Sequence, residues 1–203
     1  GSCMAVKAQQ YALHGGMNRR KAAEDFYFIH KIAPHTPCRQ IAGGQVYPSA
    51  RLSDRVPFGT GKAQQDWLQG QPRIMQVYPV QAFEAVGEML HAVSRLYQQG
   101  VTAAGGLSAP VAAWLHSTGA AHEIERMVKG SGSQQRFARH FREWFNGFRV
   151  LKMIHFLRDH FLGTMPLPVA ARELLLKLEQ KPPQTEAEQL LHIFRTLDGH
   201  YPV

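Results

Sequence analysis

The sequence is poor in cysteine and contains no long apolar run. Its 203 residues include two cysteines, Cys3 and Cys38, which are too few for the disulfide framework of a small secreted domain. No stretch approaches the roughly 18 consecutive apolar residues that a membrane-spanning helix needs. No signal peptide is visible, and Gly1-Ser2 is typical of a cloning remnant. These absences predict a cytoplasmic protein without a membrane span.

The usual motifs of metal, cofactor and nucleotide sites are also missing. No CxxC, HExxH or Cys/His cluster occurs, so we predict no metal site and no cofactor. Pro57 to Lys62, with the sequence PFGTGK, resembles the end of a phosphate-binding loop. The full motif needs a glycine where Val56 stands and a serine or threonine where Ala63 stands. No helix opening at the lysine is evident, and we interpret the segment as a surface turn.

The candidates for catalytic chemistry are weak. His35 and Arg39 flank Cys38 and would favour its thiolate if they came close to it. Working dyads are usually assembled from distant segments, so this neighbourhood in sequence carries little weight. Two further pairs, His122-Glu123 and His155 with Asp159, have spacings that acid–base chemistry could use. An enzyme with an unrecognised Cys/His site is therefore only the third alternative.

Acidic residues are scarce relative to basic ones. The chain holds 23 Lys and Arg against 15 Asp and Glu, a formal net charge of +8. Such an excess favours acidic partners, such as nucleic acid, an anionic membrane surface or an acidic protein. It constrains the function of the chain but leaves its fold open.

The strongest periodicity runs from Ser133 to Leu162 and predicts one long helix, with either a kink or a close helix crossing at Gly147. Its first half has one apolar stripe and its second half is apolar on two sides, which is typical of a central core helix. The first stripe is formed by Phe137, Phe141, Trp144, Phe148 and Leu151.

Cations crowd the polar positions of the same helix, and three more stand near the start of a helix predicted after Asn18. A basic helix face with aromatic residues turned inward behind it can hold a phosphate backbone without reading bases. With about six phosphates neutralised, affinity would fall about 10³-fold between 50 and 200 mM salt. The predicted nucleic-acid-binding residues are Arg19, Arg20, Lys21, Arg136, Arg139, Arg142 and Arg149.

The predicted fold is mainly α, a compact multi-helix bundle with a proline- and glycine-rich segment that carries at most a small β element. We expect a flexible N-terminus over residues 1–16 and a single domain over residues 17–203. Within that domain we expect a helix at 17–33, an irregular segment at 34–79 and a helical core at 80–203. Six prolines fall between positions 34 and 79, where short strands near Gly43-Gly44 and within residues 74–78 are the only β signals.

The leading hypothesis is a non-enzymatic nucleic-acid-binding protein, regulatory or accessory, acting on DNA or RNA. The main alternative is a protein–protein interaction module, such as an adaptor, inhibitor or effector with an acidic partner. Residues 111–130 resemble a helix-turn-helix around Gly119, but the register fails by one residue and we interpret them as an αα-corner. The leucine-rich C-terminal helices could close the core or join two copies in a homo-oligomer.

Overall fold

A computed structural model describes residues 4–19, 23–39, 59–71, 75–101, 106–180 and 187–200. The mainly α prediction is confirmed, with one two-stranded sheet as the β structure of the described residues. The chain divides into two compact units, residues 1–75 with 183–203 and residues 76–182. Whether residues 17–203 form a single domain is not tested by this division and stays a prediction. The strand proposed near Gly43-Gly44 lies outside the described residues.

Within its described residues, the first unit contains four helices: α1 (Ala8–Leu13), α2 (Glu24–Ile32), α3 (Thr60–Leu68) and α11 (Ala187–His200). Tyr11 of α1 packs on buried Phe28 of α2, with ring centroids 5.3 Å apart. Lys31 fixes the end of α1 by donating to the carbonyl oxygens of His14 and Gly16 at 3.1 and 3.0 Å.

Helix α2 begins at Glu24, so the prediction that Asn18 caps a helix over residues 17–33 is wrong. Ala23, the residue before the helix, has a φ of 60° in the left-handed region. Glu24 and Asp25 then occupy the first turn, where negative charge is stabilised by the helix dipole. A start at Asn18 would have placed three cations in that turn, which the dipole disfavours.

The second unit carries the remaining elements. In chain order they are β1 (Gln76–Val77), α4 (Val80–His91), α5 (Val93–Gln99), α6 (Ala109–Ser117), α7 (Ala120–Ser131), α8 (Gln134–Trp144), α9 (Gly147–Leu157), a π-helical turn (Arg158–Leu162), β2 (Met165–Pro166) and α10 (Leu167–Lys177). The short strand predicted within residues 74–78 is confirmed as β1, which pairs antiparallel with β2. The helices share one apolar core, whose most deeply buried members include Met89, Leu96, Leu115, Ile124, Phe137, Phe141, Met153 and Leu157.

The predicted long helix over residues 133–162 is broken in two, and the kink is a full interruption at Phe145 and Asn146. Phe145 leaves helical geometry, with φ −82° and ψ 57°. The Asn146 side chain accepts a hydrogen bond from the Arg149 N–H at 3.2 Å and so caps α9. Asparagine is a strong N-cap because its side-chain oxygen satisfies a free backbone donor. The break also turns Phe145 into the core, where it is 4% exposed.

Removal of this cap is expected to weaken the unit. Asn146→Ala leaves the first turn of α9 without its side-chain acceptor, so the free energy of unfolding should fall by about 1 kcal/mol. Urea unfolding followed by tryptophan fluorescence measures the change. Asn146→Ser keeps an acceptor at the position and should retain most of the stability. Equal stability for the alanine and wild-type proteins would contradict the assigned cap.

Among the described residues, no helix is both long enough and apolar enough to cross a membrane.

Candidate nucleic-acid interface

Helices α7 and α8 form a hairpin through a short turn at Gly132 and Ser133. Gly132 has a φ of 63°, which glycine adopts without a steric penalty. The Ser133 side chain then caps α8 by accepting from the Arg136 N–H at 3.3 Å. Ser131, fully buried at the end of α7, donates its hydroxyl to the Met127 carbonyl oxygen at 2.6 Å. The turn therefore fixes the two helices beside each other.

The aromatic side chains of α8 face the protein interior. Phe137 and Phe141 have no exposed surface, and their ring centroids lie 5.9 Å apart. Trp144 is half-buried and lies 5.6 Å from the Phe141 ring. Phe148 departs from the predicted stripe and is exposed, because the helix break rotates it away from Phe141. The buried rings stabilise the core and are not free to stack on bases.

Three arginines of α8, Arg136, Arg139 and Arg142, point into solvent opposite these rings. We call them the α8 arginines. A spacing of three residues rotates each about 60° from the one before, so together they cover about 120° of the helix surface. In the part of the chain that the structure describes, none of them forms an ion pair with a carboxylate. Their guanidinium groups are thus available to an external anion.

The hairpin as a whole carries excess positive charge on its outer surface. Between residues 120 and 144 the sequence has five Arg or Lys and three Glu. Arg126 and Lys129 of α7 are exposed. The Glu123 carboxylate is paired with Arg149, which lies outside the hairpin. The five cations of the hairpin are therefore opposed only by Glu125 and Glu143 within residues 120–144. Glu143 is the one acidic residue in the sequence of α8 and moderates its field.

Arg149 is placed differently from the other predicted arginines. Its guanidinium bonds the Glu123 carboxylate and the Trp144 carbonyl oxygen, each at 3.0 Å, and lies 4.6 Å from the centre of the Trp144 ring. The Trp144 indole N–H also donates to Glu123. We call these three side chains the Glu123 network, and it ties together α7, α8 and α9. Arg149 therefore has a structural partner on each side and lies outside the proposed interface.

Disrupting the Glu123 network should destabilise the second unit. Glu123→Ala leaves the indole N–H and the guanidinium without their shared acceptor, which should lower the free energy of unfolding by about 1 to 2 kcal/mol. The two side chains of the ion pair are over one third exposed, so solvent screening holds the loss to this range. A double-mutant cycle with Arg149→Ala, followed by urea unfolding, should show coupling of about 0.5 to 1 kcal/mol. Additive losses would contradict a shared network.

The N-terminal cations belong to the first unit. Arg19 is exposed, while Arg20 and Lys21 lie outside the described residues. Their participation in anion binding stays a prediction.

The structure does not bring His35 and Cys38 together as a dyad. The His35 ring stacks on His14, with centroids 5.4 Å apart. Cys38 is exposed, and no hydrogen bond joins the two side chains among the described residues. Neither residue has the arrangement that an activated thiolate requires.

The residues of the predicted His155–Asp159 pair also have other partners. His155 shares a 2.8 Å hydrogen bond with the hydroxyl of Tyr78, from just before α4. Hydrogen bonding to Arg158, at 2.6 and 3.0 Å, lowers the pKa of Asp159 below its ordinary value. Such a carboxylate is a poor general base at neutral pH. The Tyr78 contact joins positions 77 residues apart, and nothing in the sequence pattern pointed to it.

The two resemblances noted in the sequence have structural explanations. A helix does open within the PFGTGK segment, since α3 begins at Thr60, so the sequence-based expectation on this point was wrong. Lys62, however, pairs with buried Asp66 at 2.5 Å one turn later. The α6–α7 corner turns at Gly119, whose φ is 71°, and Glu123 of its second helix is part of the Glu123 network.

Exposed guanidinium groups give the α7–α8 surface its chemistry. Guanidinium is a planar, permanently charged donor that bonds two oxygens of a phosphate or carboxylate at once. The α8 arginines present three such groups within about two turns of one helix.

Comparisons of the chain with protein-family models, with curated proteins and with solved structures found no match.

Proposed function

We propose that the outer surface of the α7–α8 hairpin binds the phosphate backbone of a nucleic acid, DNA or RNA, and that the protein has a regulatory or accessory role. The observation that carries this proposal is the exposure of all three α8 arginines, unpaired among the described residues. Arg126 and Lys129 of α7 are exposed on the same hairpin and add to its field.

Burial of the rings determines the mode of binding that we expect. Proteins that bind single strands without sequence preference usually stack bases on exposed aromatic side chains. Phe137 and Phe141 are buried beneath the α8 arginines, so this route is closed for them. Binding should therefore rely on ionic contacts to phosphates, which position a nucleic acid but carry no sequence information. We expect little discrimination between sequences of equal length.

Salt dependence gives the proposal its quantitative test. Release of counterions makes the logarithm of affinity fall with a slope of about −0.9 per neutralised phosphate on duplex DNA. Three contacts correspond to a loss of about 40-fold between 50 and 200 mM salt. Contacts from Arg126 and Lys129 would make the dependence steeper, toward about 500-fold for five contacts.

The experiment is fluorescence anisotropy with labelled 20-base-pair duplexes of two unrelated sequences, titrated at several salt concentrations. Similar affinities for both duplexes and a loss of at least about 40-fold over this range are expected. Absence of binding at 50 mM salt, or an affinity independent of salt, would overturn the proposal. Polyglutamate of matched charge serves as competitor, and preferential binding to it would favour an acidic protein partner instead.

A further inference from the structure

Helix α4 exposes an apolar stripe that the second unit leaves uncovered. Phe83 is 53% exposed and Leu90 is 47% exposed, and they lie seven residues apart on one side of the helix. Val86, half-buried between them, belongs to the same stripe. Large apolar side chains that recur in this way usually meet a partner helix. The stripe spans about 10 Å along the helix axis.

Gly87 lies in the middle of this stripe, and nothing in the described part of the chain explains a glycine there. A glycine inside a helix lowers helix stability relative to alanine. A Cβ atom built at Gly87 would meet nothing within 4 Å, so none of the described residues requires its absence. A second backbone approaching from outside would require it, because small residues at a crossing point let two helices come close together.

We propose that a second copy of this chain covers the stripe, with two α4 helices crossing antiparallel at Gly87 about a two-fold axis. In this arrangement Phe83 of each copy lies near Leu90 of the other, because the two residues stand four positions before and three after the glycine and their levels along the axis differ by one residue rise, about 1.5 Å. The surface is thus complementary to itself in size, as a two-fold interface requires.

Two polar side chains beside the stripe are related by the same two-fold axis. Glu84 and His91, both exposed, lie on the polar flank of α4, three positions before and four after Gly87, so their levels along the axis also differ by about 1.5 Å. A two-fold antiparallel crossing brings Glu84 of one copy next to His91 of the other. Glu84 already bonds Lys177 of α10 at 2.5 Å through its Oε1 atom, which orients its carboxylate on this flank. Helix α4 itself contains no Lys or Arg, and Lys177 of α10 is paired with Glu84 beside the stripe.

This face is small compared with obligate interfaces, which bury about 2,000 Å² or more. We therefore expect a reversible dimer with a micromolar dissociation constant rather than a permanent one. It involves none of the α8 arginines, so it stands or falls independently of nucleic-acid binding. It also differs from an assembly through the leucine-rich C-terminal helices, which the test below distinguishes.

Sedimentation equilibrium of the full chain from about 1 to 300 µM, a range chosen around micromolar affinity, tests the proposal. A monomer–dimer equilibrium is expected, and Phe83→Ala should weaken it by about 30-fold, as loss of a central aromatic contact does. Leu176→Ala, which truncates a 62% exposed side chain of α10, should leave the equilibrium unchanged. A monomer at every concentration, or a dimer sensitive to Leu176→Ala and indifferent to Phe83→Ala, would overturn it.

Two further variants test the crossing point and the register. Gly87→Ala should raise the Tm of the chain, because the added methyl group meets open space, while weakening the dimer. His91→Glu should also weaken the dimer by placing a second carboxylate beside Glu84 of the other copy, whereas His91→Lys, which puts a cation at the position, should leave the dimer intact. Circular dichroism checks that each variant keeps its helix content. A dimer that tolerates Gly87→Ala, or that His91→Glu and His91→Lys affect equally, contradicts the antiparallel crossing.

Discussion

Phe141→Ala is expected to lower the free energy of unfolding of the second unit by about 3 to 5 kcal/mol. The Phe141 ring is fully buried and lies 5.6 to 5.9 Å from the rings of Phe137, Trp144 and Phe145. Its removal loses the transfer free energy of the ring and leaves a cavity among rigid aromatic neighbours that cannot collapse into it.

A loss of this size is a large share of the total, since domains are stable by only about 5 to 15 kcal/mol. Urea unfolding followed through tryptophan fluorescence measures it, because Trp114 and Trp144 lie beside the same cluster. Phe161→Ala is the matched control, since its ring is 46% exposed and its loss should stay below about 1.5 kcal/mol. Equal effects of the two changes would mean that the rings of α8 do not face the core.

The combined change Arg136→Gln, Arg139→Gln and Arg142→Gln is expected to weaken nucleic-acid binding on the order of 10³-fold at 50 mM salt. Each of the three side chains is exposed, so the variant should fold like the wild-type protein. Loss of three phosphate contacts removes the corresponding counterion release, which drives most of such binding at low salt. Fluorescence anisotropy with the duplexes described above measures the loss.

A second triple variant separates position from net charge. Lys7→Gln, Arg39→Gln and Arg195→Gln remove three exposed cations from the first unit, so both variants have the same formal charge. If binding depended only on long-range attraction to the net charge, the loss of three cations would weaken it equally in the two variants. We expect the control to lose less than about tenfold, which is the part due to the general field.

The aromatic and basic periodicity of residues 133–144 was sufficient to predict α8 and its orientation. Phe137 and Phe141 repeat at the helical spacing with arginines between and beside them at 136, 139 and 142, and both rings are buried with the arginines outside. Local chemistry also explains why the prediction of one continuous helix over residues 133–162 was wrong. Asn146 caps a new helix, and a single side-chain hydrogen bond there outweighed an apolar pattern that continued through the break.

Side-chain networks were beyond prediction from the sequence for a different reason. In the sequence, the neighbours of Arg149 resemble those of the other arginines. In the structure, its guanidinium bonds Glu123, which precedes it by 26 residues. That pairing depends on how α7 packs against α8 and α9, and no local spacing encodes it. The exposure of the apolar stripe of α4 could not be predicted from the sequence either, because the spacing of Phe83 and Leu90 fits equally well a helix that is buried on that side.

The most direct test of the proposed interface is the slope of log affinity against log salt concentration for the wild-type protein and the two triple variants. If the α8 arginines contact phosphates, their replacement should make the slope shallower by about 2.7, or 0.9 for each contact on duplex DNA. The variant of the first unit should retain the wild-type slope. Identical slopes for the wild-type protein and the α8 variant would contradict the interface assigned to this helix.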